Sequence, residues 1–189
     1  MRLRHQDGAM LIDLVIGAFI AMMMLGAYLQ VATRVSEGRT AHREGARLAA
    51  GAAALHEYLL RRGAGIILNG TAAGFATPYA PSEANLKDAG FMPRYLSMIT
   101  PYGGTMQFVV RRGIKNDLLG LACDSAAITR AGQPAPDIAA KVVAASEGTG
   151  MMTSIVNPGV LNGPGMSNVA SPINGAAIVC AWAFLPNPG

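Results

Sequence analysis

The sequence predicts an α+β chain, with one long amino-terminal helix followed by a small head of short strands and helices. Three observations predict it. Residues 9–32 form a long apolar run with only two clearly polar side chains. Residues 33–62 continue in good helix formers with an amphipathic stripe. Residues 105–111, 118–123 and 176–185 carry strand-like patterns between stretches of Gly, Pro and Asn.

The run from Ala9 to Ala32 holds 24 residues, of which only Asp13 and Gln30 are clearly polar. As a helix it spans roughly 36 Å at about 1.5 Å per residue, enough to cross the hydrocarbon core of a bilayer. Lipid offers the backbone no hydrogen-bond partner, so a helix is the stable form. Asp13 breaks the pattern, because a carboxylate at the membrane centre costs about 2.5–3.5 kcal/mol on insertion scales and calls for a partner. Ala9, Asp13, Gly17 and Ala21 recur every four residues on one helix face. Small residues there allow a second helix to approach closely. An ordinary signal anchor, with Asp13 reaching out to the headgroups, is the alternative reading.

The head of the chain, MRLRHQDG, places Gly8 before the apolar run. A secretory signal places its small-residue cleavage site after the run. No such site is clear here, since Leu25 and Gln30 stand at the minus-three position for cuts after Ala27 and Ala32. Arg2 and Arg4 favour an amino terminus on the cytoplasmic side, a bias that Arg34 and Arg39 beyond the run weaken.

The helix is expected to continue to Arg62. Ala41, Leu48, Ala52, Leu55, Leu59 and Leu60 give its apolar stripe, and Arg39, Arg43 and Arg47 follow on another face. The whole helix, 9–62, would be about 80 Å long if straight. Gly26, Gly38, Gly45 and Gly51 each cost about 1 kcal/mol against Ala and offer points of bending. Gly63-Ala64-Gly65 reads as the stop. Residues 66–82 read as a loop, and 82–89 as a short helix capped by Ser82 and ended by Gly90. Strand 105–111 turns at Asn116-Asp117 into strand 118–123. Residues 136–145 read as an amphipathic helix with Pro near its first turn. Residues 148–171 read as an extended surface loop, and 176–185 as an apolar terminal strand buried on both faces.

Length allows one anchor and one modest domain. Net charge is +4 over 189 residues, with several of the charges in the leader or beside the anchor, so no nucleic-acid partner is predicted. His5, His42 and His56 are too far apart along the chain to share one metal within a subunit, and no metal, phosphate-loop or nucleophile-elbow spacing occurs. Asp124-Ser125 beside Cys123 reads as a polar strand end, because nothing supplies a matching base. No cofactor, metal or enzymatic activity is predicted.

A short basic leader ending in Gly8, an apolar helix opening at Ala9 and an acidic residue four positions later resemble the class III leader of type IV pilins and pseudopilins. LKDAGFMP, PYGG, QFVV, PDIAAKVVAA and GTG, in that order, resemble the constant region of shufflon-type minor pilins of type IVb thin pili. The family's usual acid is Glu where this chain has Asp13, and its frequent Pro in the helix is Gln30 here. Shufflon proteins also carry a long variable carboxyl-terminal segment, whereas this chain ends at Gly189.

The resemblance implies a pilin fold: a leader at 1–8, a transmembrane half-helix at 9–32, an amphipathic half at 33–62 and an antiparallel head at 63–189. It implies cleavage between Gly8 and Ala9 by a prepilin peptidase, and Asp13 neutralising the new terminus of a neighbouring subunit. Its implied partners are other pilin subunits, the inner-membrane pilus assembly machinery and a recipient or host cell surface. The chain would sit in the inner membrane before assembly and in an extracellular pilus afterwards. Pilins commonly close a carboxyl-terminal loop with a disulfide, which assigns that role to Cys123 and Cys180; two buried free thiols are the alternative. A type II secretion pseudopilin and a signal-anchored exported enzyme are the other readings carried forward.

Overall fold

A computed structural model describes residues 6–187, with side chains described from Asp13 onward. Helix α1 runs Gln6–Asn69, and the chain divides into two units, up to Arg39 and from Thr40. Residues 1–5 of the leader expected at 1–8 lie outside the described residues. Gly8 and Ala9 fall on the helix backbone, and their side chains lie outside the description.

The second unit has the α+β arrangement that the sequence predicts. It contains α2 (Glu83–Asp88), α3 (Pro136–Ala144) and eight strands: β1 (Met106–Arg112), β2 (Leu118–Asp124), β3 (Thr129–Arg130), β4 (Gln133–Pro134), β5 (Gly150–Thr153), β6 (Val160–Gly163), β7 (Met166–Ala170) and β8 (Val179–Leu185). Six form one antiparallel sheet in the order β1-β2-β8-β5-β6-β7, while β3 and β4 pair separately. The β1–β2 hairpin closes at Asn116, whose φ of 60° fits the left-handed turn position that Asn tolerates. Ser82 caps α2 by accepting from the Asn85 N–H at 3.2 Å, and Gly90 with φ 75° follows its end.

Residues 40–69 of α1 lie against one face of the sheet. Leu48, Leu55, Tyr58, Leu59 and Ile66 are fully buried there, over Phe108, Val110, Leu118, Ala122, Val179 and Ala181. Leu60, expected in the stripe, is 55% exposed. Gly120 makes room in the sheet for the helix, since a Cβ there would meet Leu55 and Leu59 at 3.3–3.4 Å. Tyr58, Phe75 and Phe91 stack with ring centroids 4.7–6.1 Å apart, and the Tyr58 hydroxyl donates to the Pro78 carbonyl at 2.9 Å. This cluster fastens the 70–81 segment to the helix. Burial pushes the Tyr58 hydroxyl up to about 12.

Two sequence expectations are corrected. The helix does not stop at Gly63-Ala64-Gly65 but continues through Asn69, where Gly70 takes φ 67°. Gly63 and Gly65 serve packing instead, because a Cβ would meet Leu185 Cδ2 at 2.5 Å and the Thr71 carbonyl at 2.8 Å respectively. Residues 148–171 are not one extended loop; they contain β5, β6 and β7. These short strands hold their shape by tertiary support. Leu161 on β6, with Met166 and Val169 on β7, packs against Leu121 and Trp182 on the sheet face away from α1. The Arg111 guanidinium on edge strand β1 donates to the Ala170 carbonyl on the opposite edge strand, at 2.5 Å. The sheet is therefore curled, with a second small core inside the curl. Strand β8 is central and contributes to both cores, buried on both faces as its composition predicts.

Candidate functional site: an exposed apolar helix and a buried ion cluster

From Asp13 to Ser36 every α1 side chain is exposed. The large apolar ones include Leu14 at 71%, Phe19 at 59% and Met22 at 72% exposure. This part of the helix is long and apolar enough to cross a membrane, and none of its most apolar window is buried. A contiguous apolar surface of this size needs lipid or protein to cover it. Asp13 is exposed among Leu14, Val15 and Ile16, with Gly17 and Ala21 also exposed on its face.

The helix glycines fall into two groups. A Cβ at Gly17, Gly26 or Gly38 would meet nothing within 4 Å. At Gly45 it would meet Ala145 Cβ and the Val142 carbonyl at 2.6 Å, and at Gly51 the Met106 sulfur at 2.5 Å. The later glycines thus let the helix seat on the head, and the earlier ones have no such use within the chain.

The head contains a buried ion cluster that sequence reasoning missed. The sequence places Arg47 in a row with Arg39 and Arg43 on a face away from the apolar stripe, yet it is only 9% exposed, with Glu44 at 1% and Asp124 at 0%. Residues eight apart on a helix differ by about 80° in direction, so a row that starts in solvent at Arg39 turns inward by Arg47. Arg43 remains exposed between them. The Arg47 guanidinium donates to Glu44 Oε1, to the Ile99 carbonyl and to Asp124 Oδ1, the last at 3.4 Å. It thereby ties α1 to the end of β2 and to the 96–101 segment. Asp124, read from sequence as an ordinary polar strand end, is buried, and desolvation together with Glu44 pushes its carboxyl up to about 8 against the opposing pull of Arg47. An open groove of about 800 Å³ borders the cluster, between α1 at residues 43–47 and the 96–101 segment. Its walls are mainly apolar, including Leu96, Ile99 and Pro101.

Cys123 and Cys180 are joined by a disulfide. They stand directly opposite each other on β2 and β8, both fully buried in the core inside the curl. His42 and His56 are both exposed, and among the described residues no group of His, Cys, Asp or Glu is arranged to hold a metal ion.

What the fold defines is a class: a membrane-length apolar helix leading into an α+β head, with a curled antiparallel sheet and one buried disulfide. This arrangement is compatible with the pilin fold. The chain matches no protein-family model, no curated protein and no solved structure.

Proposed function

We propose that this chain is a type IVb pilin-like subunit of the minor, shufflon-related kind, which assembles into a thin pilus through its amino-terminal helix. The single observation that carries the reading is the fully exposed apolar stretch of α1, with Asp13 on the same face as two small residues that none of the described residues covers. A lone carboxylate in an apolar helix is costly in lipid, whereas a pair with a neighbour's amine is much less so. In this reading a prepilin peptidase cuts after Gly8 and frees the Ala9 amine. Asp13 of the incoming subunit then meets that amine on an older one, and Gly17 and Ala21 let the two helices close. The other partners are the pilus assembly machinery of the inner membrane and, after assembly, a recipient or host cell surface. Conjugation and adhesion are the settings the resemblance suggests.

The test is the amount of subunit in sheared pilus fractions relative to membranes. Asp13→Ala makes the anchor more apolar, so insertion should be unharmed while incorporation is lost. Asp13→Glu keeps the charge and should be incorporated. Undiminished incorporation of Asp13→Ala would remove the charge-pair mechanism and the main residue-level support for a pilin role.

A further inference from the structure

The buried ion cluster holds two acids and one base, so its charges balance only if it also holds one proton. Glu44 Oε2 and Asp124 Oδ2 are both buried and have no donor. The two carboxyl groups meet at one guanidinium nitrogen, since Glu44 Oε1 and Asp124 Oδ1 both accept from Arg47 Nη2. Ionised carboxylates only accept, so two of them cannot bond directly. Arg47 gives its two terminal nitrogens to the Ile99 carbonyl, Glu44 Oε1 and Asp124 Oδ1, and its Nε–H is buried without a partner, so one cation stands between two acids. With both acids ionised the cluster would carry one uncompensated negative charge out of contact with water, an arrangement that buried groups avoid by binding a proton.

We propose that Glu44 and Asp124 together hold a single proton, and that this proton lets Arg47 latch the 96–101 segment to α1 and β2. The charged groups around it are few. Helix α1 contributes Glu44, Arg47 and, exposed at the groove, Arg43. The residues of the 96–101 segment that line the groove bring no ionisable side chain, and Met106 of β1 stands opposite Asp124 in the sheet. Asp124 is the last residue of β2 and adjoins the disulfide at Cys123, so its ionisation is felt at a covalently fixed strand end. Loss of the proton leaves two negative charges on one buried guanidinium, which also holds the Ile99 carbonyl, and both acids then compete for it. The expected result is release of the 96–101 segment and opening of the adjoining groove in alkaline surroundings. Burial and the Glu44 carboxylate both favour protonation of Asp124 well above the ordinary carboxyl range.

The test uses the full chain in detergent. Infrared spectra should show the carbonyl stretch of a protonated carboxylic acid near neutral pH, fading reversibly as pH rises past about 8. Asp124→Asn and Glu44→Gln should each abolish the band, because either amide leaves one acid for the one guanidinium and removes the need for a proton. Asp13→Asn should leave it, which separates the cluster from the acid in the apolar helix. A band absent from the unsubstituted chain, or one that survives in both cluster variants, overturns the proposal. The unsubstituted chain offers a second measurement that does not depend on the variants folding. Its thermal midpoint should fall between pH 5.5 and about 8 and level off above; a flat or rising profile also overturns the proposal.

Discussion

Alanine at Gly45 should destabilise the head, whereas alanine at Gly17 should not, although both sites lie in the same helix. Gly→Ala in a helix interior gains about 1 kcal/mol from backbone entropy wherever the methyl fits. At Gly17 nothing lies within 4 Å of the new Cβ, so only the gain applies to the isolated subunit. At Gly45 the methyl would stand 2.6 Å from Ala145 Cβ and the Val142 carbonyl, and 2.8 Å from the Ala145 carbonyl carbon. Two of these three atoms are backbone at the end of α3, which is held by Ile138, Ala139 and Val142 in the core. No side-chain rotation relieves the clash, so the helices must part. Overpacking costs about 1–3 kcal/mol, and a double backbone clash belongs in the upper half of that range. After the propensity gain a net loss of about 1–2 kcal/mol remains, a fall of about 2–8 °C in melting midpoint for a domain of this size. The assay is thermal unfolding of each full-length variant in detergent, followed by circular dichroism. A Gly45→Ala midpoint at or above that of the unsubstituted chain would refute the packing account of the later glycines. In pilus incorporation the order should reverse: Gly17→Ala is folded but assembles less well, because the space it fills belongs to a neighbouring helix in the proposed function.

Three further outcomes follow from particular groups. Gly8→Arg should block processing, since a bulky cation replaces the smallest side chain at the proposed cut; mass spectrometry of the native chain should find Ala9 at the amino terminus, and a terminus after Ala27 or Ala32 would rule the site out. Cys123→Ser opens a loop worth roughly 4 kcal/mol in the chain-entropy model and should make residues 148–175 protease-sensitive, because β5 to β7 pack around that disulfide; two thiols alkylated in the exported protein without prior reduction would show that the bond does not form there. Raising pH should weaken the head. The Asp124 carboxyl is raised from 3.8 to about 8 in the fold, so the folded state holds the extra proton between those values. Its contribution is therefore complete below about 3.8 and lost as pH rises towards 8. Urea titrations across that range should give a falling midpoint in the unsubstituted chain and a flatter one in Asp124→Asn.

Local signals carried much of the fold. The apolar run and its amphipathic continuation set α1, Ser82 and Gly90 bracket α2, Pro136 opens α3, and Asn116 closes the β1–β2 hairpin, each through chemistry contained in a few neighbouring residues. Elements whose stability comes from distant partners were not legible. Strands β5 to β7 are short and interrupted by Gly, Pro and Asn, so their local pattern says loop; Leu121, Met151 and Trp182, brought together by the curl of the sheet, supply the apolar floor that makes them strands. The stop expected at Gly63 fails for the same reason. Its missing Cβ answers to Leu185, which lies 122 positions further along the chain.

The ion cluster shows why the site was harder to read than the fold. Arg47 has the spacing of a row off the apolar stripe, and partners far along the chain, the Ile99 carbonyl and Asp124 77 residues away, turn it into a core residue. The sequence contained one hint. Glu44 and Arg47 stand three apart on the face that also carries Ala41, Leu48 and Leu55, and charged residues on an apolar helix stripe require partners. That rule also applied to Asp13, where the apolar surroundings were unmistakable. In Glu44 and Arg47 the partners lie within the chain. For Asp13, exposed on a stretch of α1 that none of the described residues covers, the same physical requirement points outward. One chain thus uses buried charge in two ways: to fasten its helix to its own head and, in the proposed function, to fasten that helix to its neighbour's.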